Sequence, residues 1–313
     1  MNPEQEYNSV INLTEKFMQK STPPIAWVIL MGLALTWGSS FILMKQALHT
    51  FSGIQIASFR LLAAGAFFVP ILLTQVNNLP TAKQWFWGFV CGMVGSFIPA
   101  YLFSFAVMHM NSSLVGILNA FTPLFVLIIG FLFFKQKMTS RQVIGLALGL
   151  IGCILITLSG NKGAITFNYY SLLVILATVL YGINPHLLKT YLSDLKPFIL
   201  TGITFVTVAP LAAAFLFQTD FVHRFQEANA GWSFAAAVTL GLVGSGIAMI
   251  FYNQLLQLTG PVFVSSVTYL MPIIAVAWGV IDHEQIQAQH FVGMAIILFG
   301  VYLVNSTPKI KSV

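Results

Sequence analysis

Apolar residues run along this chain in long blocks separated by short polar breaks, and neither the strict alternation of a half-buried strand nor a one-sided helical stripe interrupts them. A helix rises about 1.5 Å per residue, so roughly 20 apolar residues cross the ~30 Å hydrocarbon layer of a bilayer. Ten blocks meet that measure, at 25–46, 54–75, 84–107, 112–134, 142–159, 168–189, 197–217, 232–256, 262–281 and 290–306. The breaks between them carry turn or polar chemistry, as in "HTFSG", "HMNSS", "SDLKP" and "LTGP". The alternating segments of a transmembrane β-barrel are absent. The pattern predicts an all-α integral membrane protein with ten transmembrane helices. One block is irregular: "LTWGSSFILMKQAL", Leu35 to Leu48, inserts Gly, Ser and Ser at mid-span and then reaches a lysine.

That irregularity recurs. "WGSSFILMKQAL" from Trp37 lies over "YGINPHLLKTYL" from Tyr181 at an offset of 144, and "GMVGS" (Gly92 to Ser96) over "GLVGS" (Gly241 to Ser245) at 149. The second offset also pairs Pro123 with Pro272 and Gly130 with Gly279, and one residue out of phase Gly145 matches Gly293 and Gly152 matches Gly300. Single matches of Gly or Leu in apolar sequence carry no weight, but a colinear series across the chain does. Five spans per copy is an odd number, so the second copy enters the membrane from the opposite side. The expectation is two inverted-topology five-helix repeats, at 25–160 and 166–306, flanked by tails at 1–24 and 307–313. Such repeats are a feature of secondary transporters, with the solute site near the midplane between them.

Composition narrows the class. Hydrophobic residues make up 58% and charged residues 7%, against about 25% charged in a soluble domain. The net charge of +6 suggests nucleic acid, but no basic patch exists, and topology accounts for the charge. With the amino terminus inside, ten lysines and arginines fall in inner segments and three (Lys45, Lys162, Arg224) in outer ones, with Arg60 within a span. Both termini are thereby expected in the cytoplasm, the protein in the plasma (inner) membrane, and Asp282 and Glu284 outside. All eight carboxylates fall outside the hydrocarbon zone. The acidic, polar start is unlike a signal peptide. Cys91 and Cys153 sit within apolar runs, which fits neither a disulfide framework nor a zinc site.

The arrangement resembles the drug/metabolite transporter superfamily, in particular its EamA-type members. The resemblance rests on "TWGSSF" at 36–41, "SFR" ending at Arg60, "TPLFVLIIGFLFFKQKMTSRQVIGLALGLIG" from Thr122 and "MPIIAVAWGVIDHEQIQAQHFVGMAIILFG" from Met271. It implies ten helices in two repeats and a permease activity. One departure is that Lys135-Gln136 replaces the glutamate that follows the fourth helix, while Glu284 keeps it in the second copy.

Candidate solute-binding residues are the polar and aromatic groups at membrane depth: Trp37, Ser39, Ser40, Arg60, Tyr101, Asn119, Tyr181, Asn184, Tyr252, Asn253 and Tyr269. Helix packing is the competing reading for the small residues Gly38, Ser39 and Ser40, and interhelical hydrogen bonding for the others taken singly. Arg60 lies about two turns into its span, where an uncompensated charge costs about 2.5–3.5 kcal/mol or more. It is expected to face a wet cavity or pair with a polar group or an anionic solute, with snorkelling as the alternative. Lys45 reads as an interfacial anchor, His186 as solvated near a span end, and Gly88, Gly92 and Ser96 as a packing stripe. No P-loop, HExxH or catalytic constellation occurs, so no cofactor, metal or nucleic-acid partner is expected. The reading is a secondary transporter for small organic solutes such as amino acids or other metabolites. An intramembrane enzyme and a lipid-handling or receptor protein are the alternatives.

Overall fold

The computed structural model describes residues 23–74, 80–134, 139–157 and 168–305. Nearly all of both expected tails, and the Lys135-Gln136 pair, lie outside the described residues. Among the described residues there is no strand. Eight helical segments are long and apolar enough to cross a membrane: α1 (Pro24–Ala47), α2 (Gly53–Leu73), α3 (Ala82–His109), α4 (Ser112–Phe134), α6 (Ser171–Tyr191), α7 (Pro197–Phe217), α8 (Ala230–Thr259) and α9 (Pro261–Ile281). Two further helices, α5 (Ser140–Thr157) and α10 (Ala288–Asn305), carry shorter apolar stretches, and the count of ten crossings rests on these two.

Local sequence sets several helix starts. "SGIQ", "TAKQ" and "TSRQ" each place a Ser or Thr three residues before a Gln. In α2, Gln55 Oε1 accepts from Ser52 N at 2.9 Å while Ser52 Oγ accepts from Gln55 N at 3.4 Å. Thr81 with Gln84 and Thr139 with Gln142 make the same reciprocal pair at α3 and α5. Each satisfies two amides that the helix itself leaves unpaired.

Between the helices the packing obeys the two-fold relation that the offsets predict. A Cβ added to Gly38 would stand 2.6 Å from Ile274 Cβ, and one added to Gly182 would stand 2.7 Å from Phe125 Cβ. Gly38 and Gly182 are equivalents, as are Phe125 and Ile274, so α1 packs on α9 as α6 packs on α4. Gly92 abuts the Thr204 carbonyl on α7, and Gly241 abuts the Arg60 carbonyl on α2. A Cβ added to Gly152 would stand 2.7 Å from the Gly293 carbonyl oxygen and one added to Gly300 2.5 Å from the Gly145 carbonyl oxygen, where α5 crosses α10. Each repeat therefore buries its helices against the other copy. In lipid, where tails are as apolar as Leu, such close backbone approach supplies the dispersion contact that holds helices together.

The backbone irregularities lie elsewhere than the sequence suggests. At Ser39, α1 relaxes for a single turn, and Ser39 N still donates to the Leu35 carbonyl at 3.1 Å. In α6 the helix passes through Tyr181 to Pro185 without a break. The pronounced departures are π-helical stretches in α3 (Met93–Phe97) and α8 (Leu240–Ile247), which hold the recurring "GMVGS" and "GLVGS". Shorter breaks fall at Ala120-Phe121 in α4 and at Ser266 in α9.

Candidate functional site

A cavity lies between the repeats, with about 100 Å³ open to water centres, and residues from both copies line it. A single buried water needs roughly 10–15 Å³ by that measure, so the space suits a small solute or several waters. Seven of the eleven candidates line it: Trp37 and Ser40 from α1, Arg60 from α2, Asn119 from α4, Tyr181 and Asn184 from α6, and Tyr252 from α8.

The walls repeat the two-fold relation. Trp37 packs on Tyr252 with ring centroids 5.4 Å apart, and the equivalent pair Tyr181 and Phe103 stacks at 5.6 Å. A Cβ added to Gly244 of the second π stretch would stand 3.2 Å from Ser40 Oγ, and one added to its equivalent Gly95 would clash with the Asn184 amide. The Trp37 indole N–H donates to the Gly244 carbonyl at 2.7 Å. A π turn shifts the hydrogen-bond ladder by one residue and can free a carbonyl for such a contact, which is one reason these turns recur at functional sites.

Polar pairing inside the cavity is incomplete. Arg60 Nε donates to Ser245 Oγ at 2.6 Å, the guanidinium's one hydrogen bond among the described residues. No described carboxylate is within ion-pair distance of it. This bond turns the head into the cavity, which argues against snorkelling. Asn184 is buried, and its Oδ1 has no hydrogen-bond partner among the described residues. Asn119 is better served, with Nδ2 on Met271 Sδ at 3.6 Å and Oδ1 accepting from Thr122 Oγ1 at 3.3 Å.

Four candidates lie away from the cavity. Ser39 Oγ accepts from the Trp278 indole at 2.9 Å. Tyr101 shares a hydrogen bond with Ser58 at 2.7 Å in a cluster with Phe97 and Phe215. Asn253 donates to Thr201 Oγ1 at 2.9 Å and lines a second cavity with Lys189 and Gly260. Tyr269 is half-buried against the main core. Helical rotation separates them: Tyr252 faces the cavity, and its neighbour Asn253 points about 100° away. Ser96, Ser245, Gly95 and Gly244 line the cavity without having been singled out for it. Their signal was the recurrence of "GMVGS" as "GLVGS", read above as evidence of the repeat, with Gly88, Gly92 and Ser96 read as a packing stripe. That reading holds for Gly88, which abuts Ile203, and for Gly92.

Two further expectations are corrected. His186 is buried, not solvated: its Nε2 lies 2.9 Å from the Val126 carbonyl and its ring stacks on Phe134. Lys45 is not a simple interfacial anchor but is ion-paired, with Nζ 2.5 Å from Asp282 and 3.0 Å from Glu284.

Glu284 builds a latch at that end of the bundle. Its side chain is 1% exposed, and Oε1 accepts from Ser112 N at 3.1 Å and Ser112 Oγ at 2.6 Å. Oε2 accepts from Ser113 N at 3.0 Å and from Ser113 Oγ. The carboxylate thus caps α4, where the helix dipole favours negative charge, and ties it to α1 through Lys45. The chain reaches this position through a left-handed residue, His283 at φ 57°, with His283 N on the Val280 carbonyl and Glu284 N on the Gly279 carbonyl. This is a Schellman turn with His at a position that usually takes Gly. Burial pushes the Glu284 carboxyl up, but the hydrogen bonds from Ser112 and Ser113 and the contact with Lys45 outweigh it. The net result holds the carboxyl below the usual range.

Comparison with known proteins agrees with this architecture. The profile of the "EamA-like transporter family" matches residues 24–158 and 168–306. The chain is 23% identical over 285 residues to the "Uncharacterized inner membrane transporter YedA" of Escherichia coli (strain K12), covering 88% of this chain and 89% of that one. An "Uncharacterized transporter" of Archaeoglobus fulgidus is 22% identical over 286 residues, covering 89% and 98%. A solved crystal structure superposes with a TM-score of 0.63 over 90% of this chain and 96% of its own, at 18% identity.

Proposed function

Because the chain belongs to the EamA-like transporter family, we propose that this membrane transporter works as a secondary transporter. It carries small organic solutes, such as amino acids or other metabolites, across the plasma (inner) membrane by alternating access, without ATP. Both termini face the cytoplasm. The observation that carries the reading is the central cavity, which equivalent residues of the two repeats line in pairs: Trp37 with Tyr181, Ser40 with Asn184, Phe103 with Tyr252 and Ser96 with Ser245. A solute crossing a dry bilayer needs polar partners and aromatic walls at the midplane, and exposing such a cavity to each side in turn is the work of inverted repeats. The test uses purified protein in sealed vesicles loaded with a low-molecular-weight extract of the expressing cells. Selective efflux of extract components, read by mass spectrometry against protein-free vesicles, is expected. Equal retention of every component in both preparations would overturn the reading.

A further inference from the structure

We propose that the central cavity selects solutes bearing a single carboxylate, gripped by Arg60, with a hydrogen-bond donor on the solute body meeting Asn184. The inference rests on the transport reading above.

Two observations in one cavity carry it. The Arg60 guanidinium is fixed through Nε on Ser245, which leaves its two terminal nitrogens without a hydrogen-bond partner among the described residues. A guanidinium presents its donors as a planar fork that matches an oxyanion bidentately. A cation kept inside a membrane bundle with no acidic partner is costly to retain, and an anionic solute offsets that cost. Asn184, on α6, is 4% exposed, lines the same cavity and has an acceptor oxygen with no partner. An orphaned buried amide costs free energy until a donor reaches it.

Charge count separates a carboxylate from a phosphate. Among the described residues Arg60 is the one Lys or Arg lining the cavity, so the site neutralises one negative charge and leaves a phosphomonoester dianion undercompensated. The two-fold relation also fixes polarity within the site. The equivalent of Arg60 is Thr204, whose hydroxyl turns back to the Thr201 carbonyl. The cation therefore comes from the first repeat alone, and the aromatic rings of Tyr181, Phe103, Trp37 and Tyr252 in the same lining are left to pack on the solute's body.

The experiment uses the same vesicles, with four probes added to the extract: 3-phenyllactate, 3-phenylpropionate, 3-phenyllactamide and phenethyl phosphate. Carboxylates should dominate the efflux, with 3-phenyllactate moving faster than 3-phenylpropionate, which lacks the donor. In Arg60→Gln the carboxylate-to-amide efflux ratio should fall at least about tenfold, as expected for loss of a charge-assisted bidentate contact. Arg60→Lys, which keeps the charge without the fork, should fall between, and it carries the test if Arg60→Gln does not purify as a monodisperse protein. Asn184→Leu should narrow the phenyllactate-to-phenylpropionate ratio. Efflux dominated by amines, neutral compounds or phosphates, or a carboxylate ratio unchanged in both Arg60 variants, would overturn the carboxylate site and leave the transport reading standing. No efflux of any component would remove the transport reading itself.

Discussion

Glu284 shows how one side chain can join three helices. It accepts two backbone and two hydroxyl hydrogen bonds from Ser112 and Ser113 and one contact from Lys45. Hydrogen bonds to a charged group are worth roughly 1.5–3 kcal/mol each where buried, but Lys45 is partly exposed and its share is smaller. Glu284→Gln is expected to cost about 2 kcal/mol. Because the folded carboxyl lies below its ordinary value, its stabilising effect is fully present above the unfolded range, about 4.3, and disappears as pH falls through the depressed folded value. Thermal unfolding in detergent should therefore show the same gap between wild type and Glu284→Gln at pH 7 and pH 5.5. The gap should close in stronger acid, and a gap independent of pH would mean that the carboxylate is not the latch. Trp37 and Tyr181 act at the same scale as cavity walls. Trp37→Ala or Tyr181→Ala should change solute affinity or selectivity severalfold while the protein still purifies folded. Unchanged flux kinetics in both would remove the rings from the path.

At the scale of the element, the glycines divide by what their missing Cβ would meet. Gly92 and Gly241 each abut a backbone carbonyl across a helix interface, and a carbonyl in a packed helix cannot rotate aside. Gly92→Ala and Gly241→Ala should each destabilise by about 1–3 kcal/mol, the usual cost of overpacking. Gly32 on α1 has nothing within 4 Å, so Gly32→Ala should be neutral or stabilise by up to about 1 kcal/mol. A thermal shift series in detergent checks the contrast. These same glycines mark the border of what the sequence makes legible. The repeat was visible because equivalent backbones must approach equally closely, which keeps Gly at Gly38 and Gly182 and in the two "VGS" segments. The cavity position of Trp37, Arg60 and Tyr181 followed from polar or aromatic chemistry within the spans. Ser39, Tyr101, Asn253 and Tyr269 share that chemistry but face other helices, and composition alone does not set helical rotation. The π stretches were hidden too, since a one-residue widening of a helix leaves no periodic signature in uniformly apolar sequence.

Across the whole molecule the two ends of the cavity are not equivalent, although the repeats are. The latch joins Lys45, Glu284 and Ser112. In the sequence their counterparts by the same offsets are Lys189, Lys135 and Pro261, so the second copy offers no carboxylate equivalent to Glu284 and no amide N–H equivalent to that of Ser112. A cavity of about 330 Å³ open to water centres lies beside Lys189 and Gly260 at that second end. The resting protein should therefore open at the Lys189 end and stay closed at the Glu284 end, and from the lysine and arginine bias the Lys189 end is expected to face the cytoplasm. Single cysteines in a background free of Cys91 and Cys153 test both statements with an impermeant thiol reagent. Ala228→Cys should react in intact cells and Ser193→Cys only in inverted vesicles, and the reverse pattern would invert the orientation. Asn184→Cys, inside the cavity, should react from inverted vesicles and resist reagent in intact cells. Adding Glu284→Gln removes the carboxylate that holds α1 to α4, so the same cysteine should then become reactive from the cell exterior. Equal reactivity from both sides before that change would show that the latch does not hold the cavity shut.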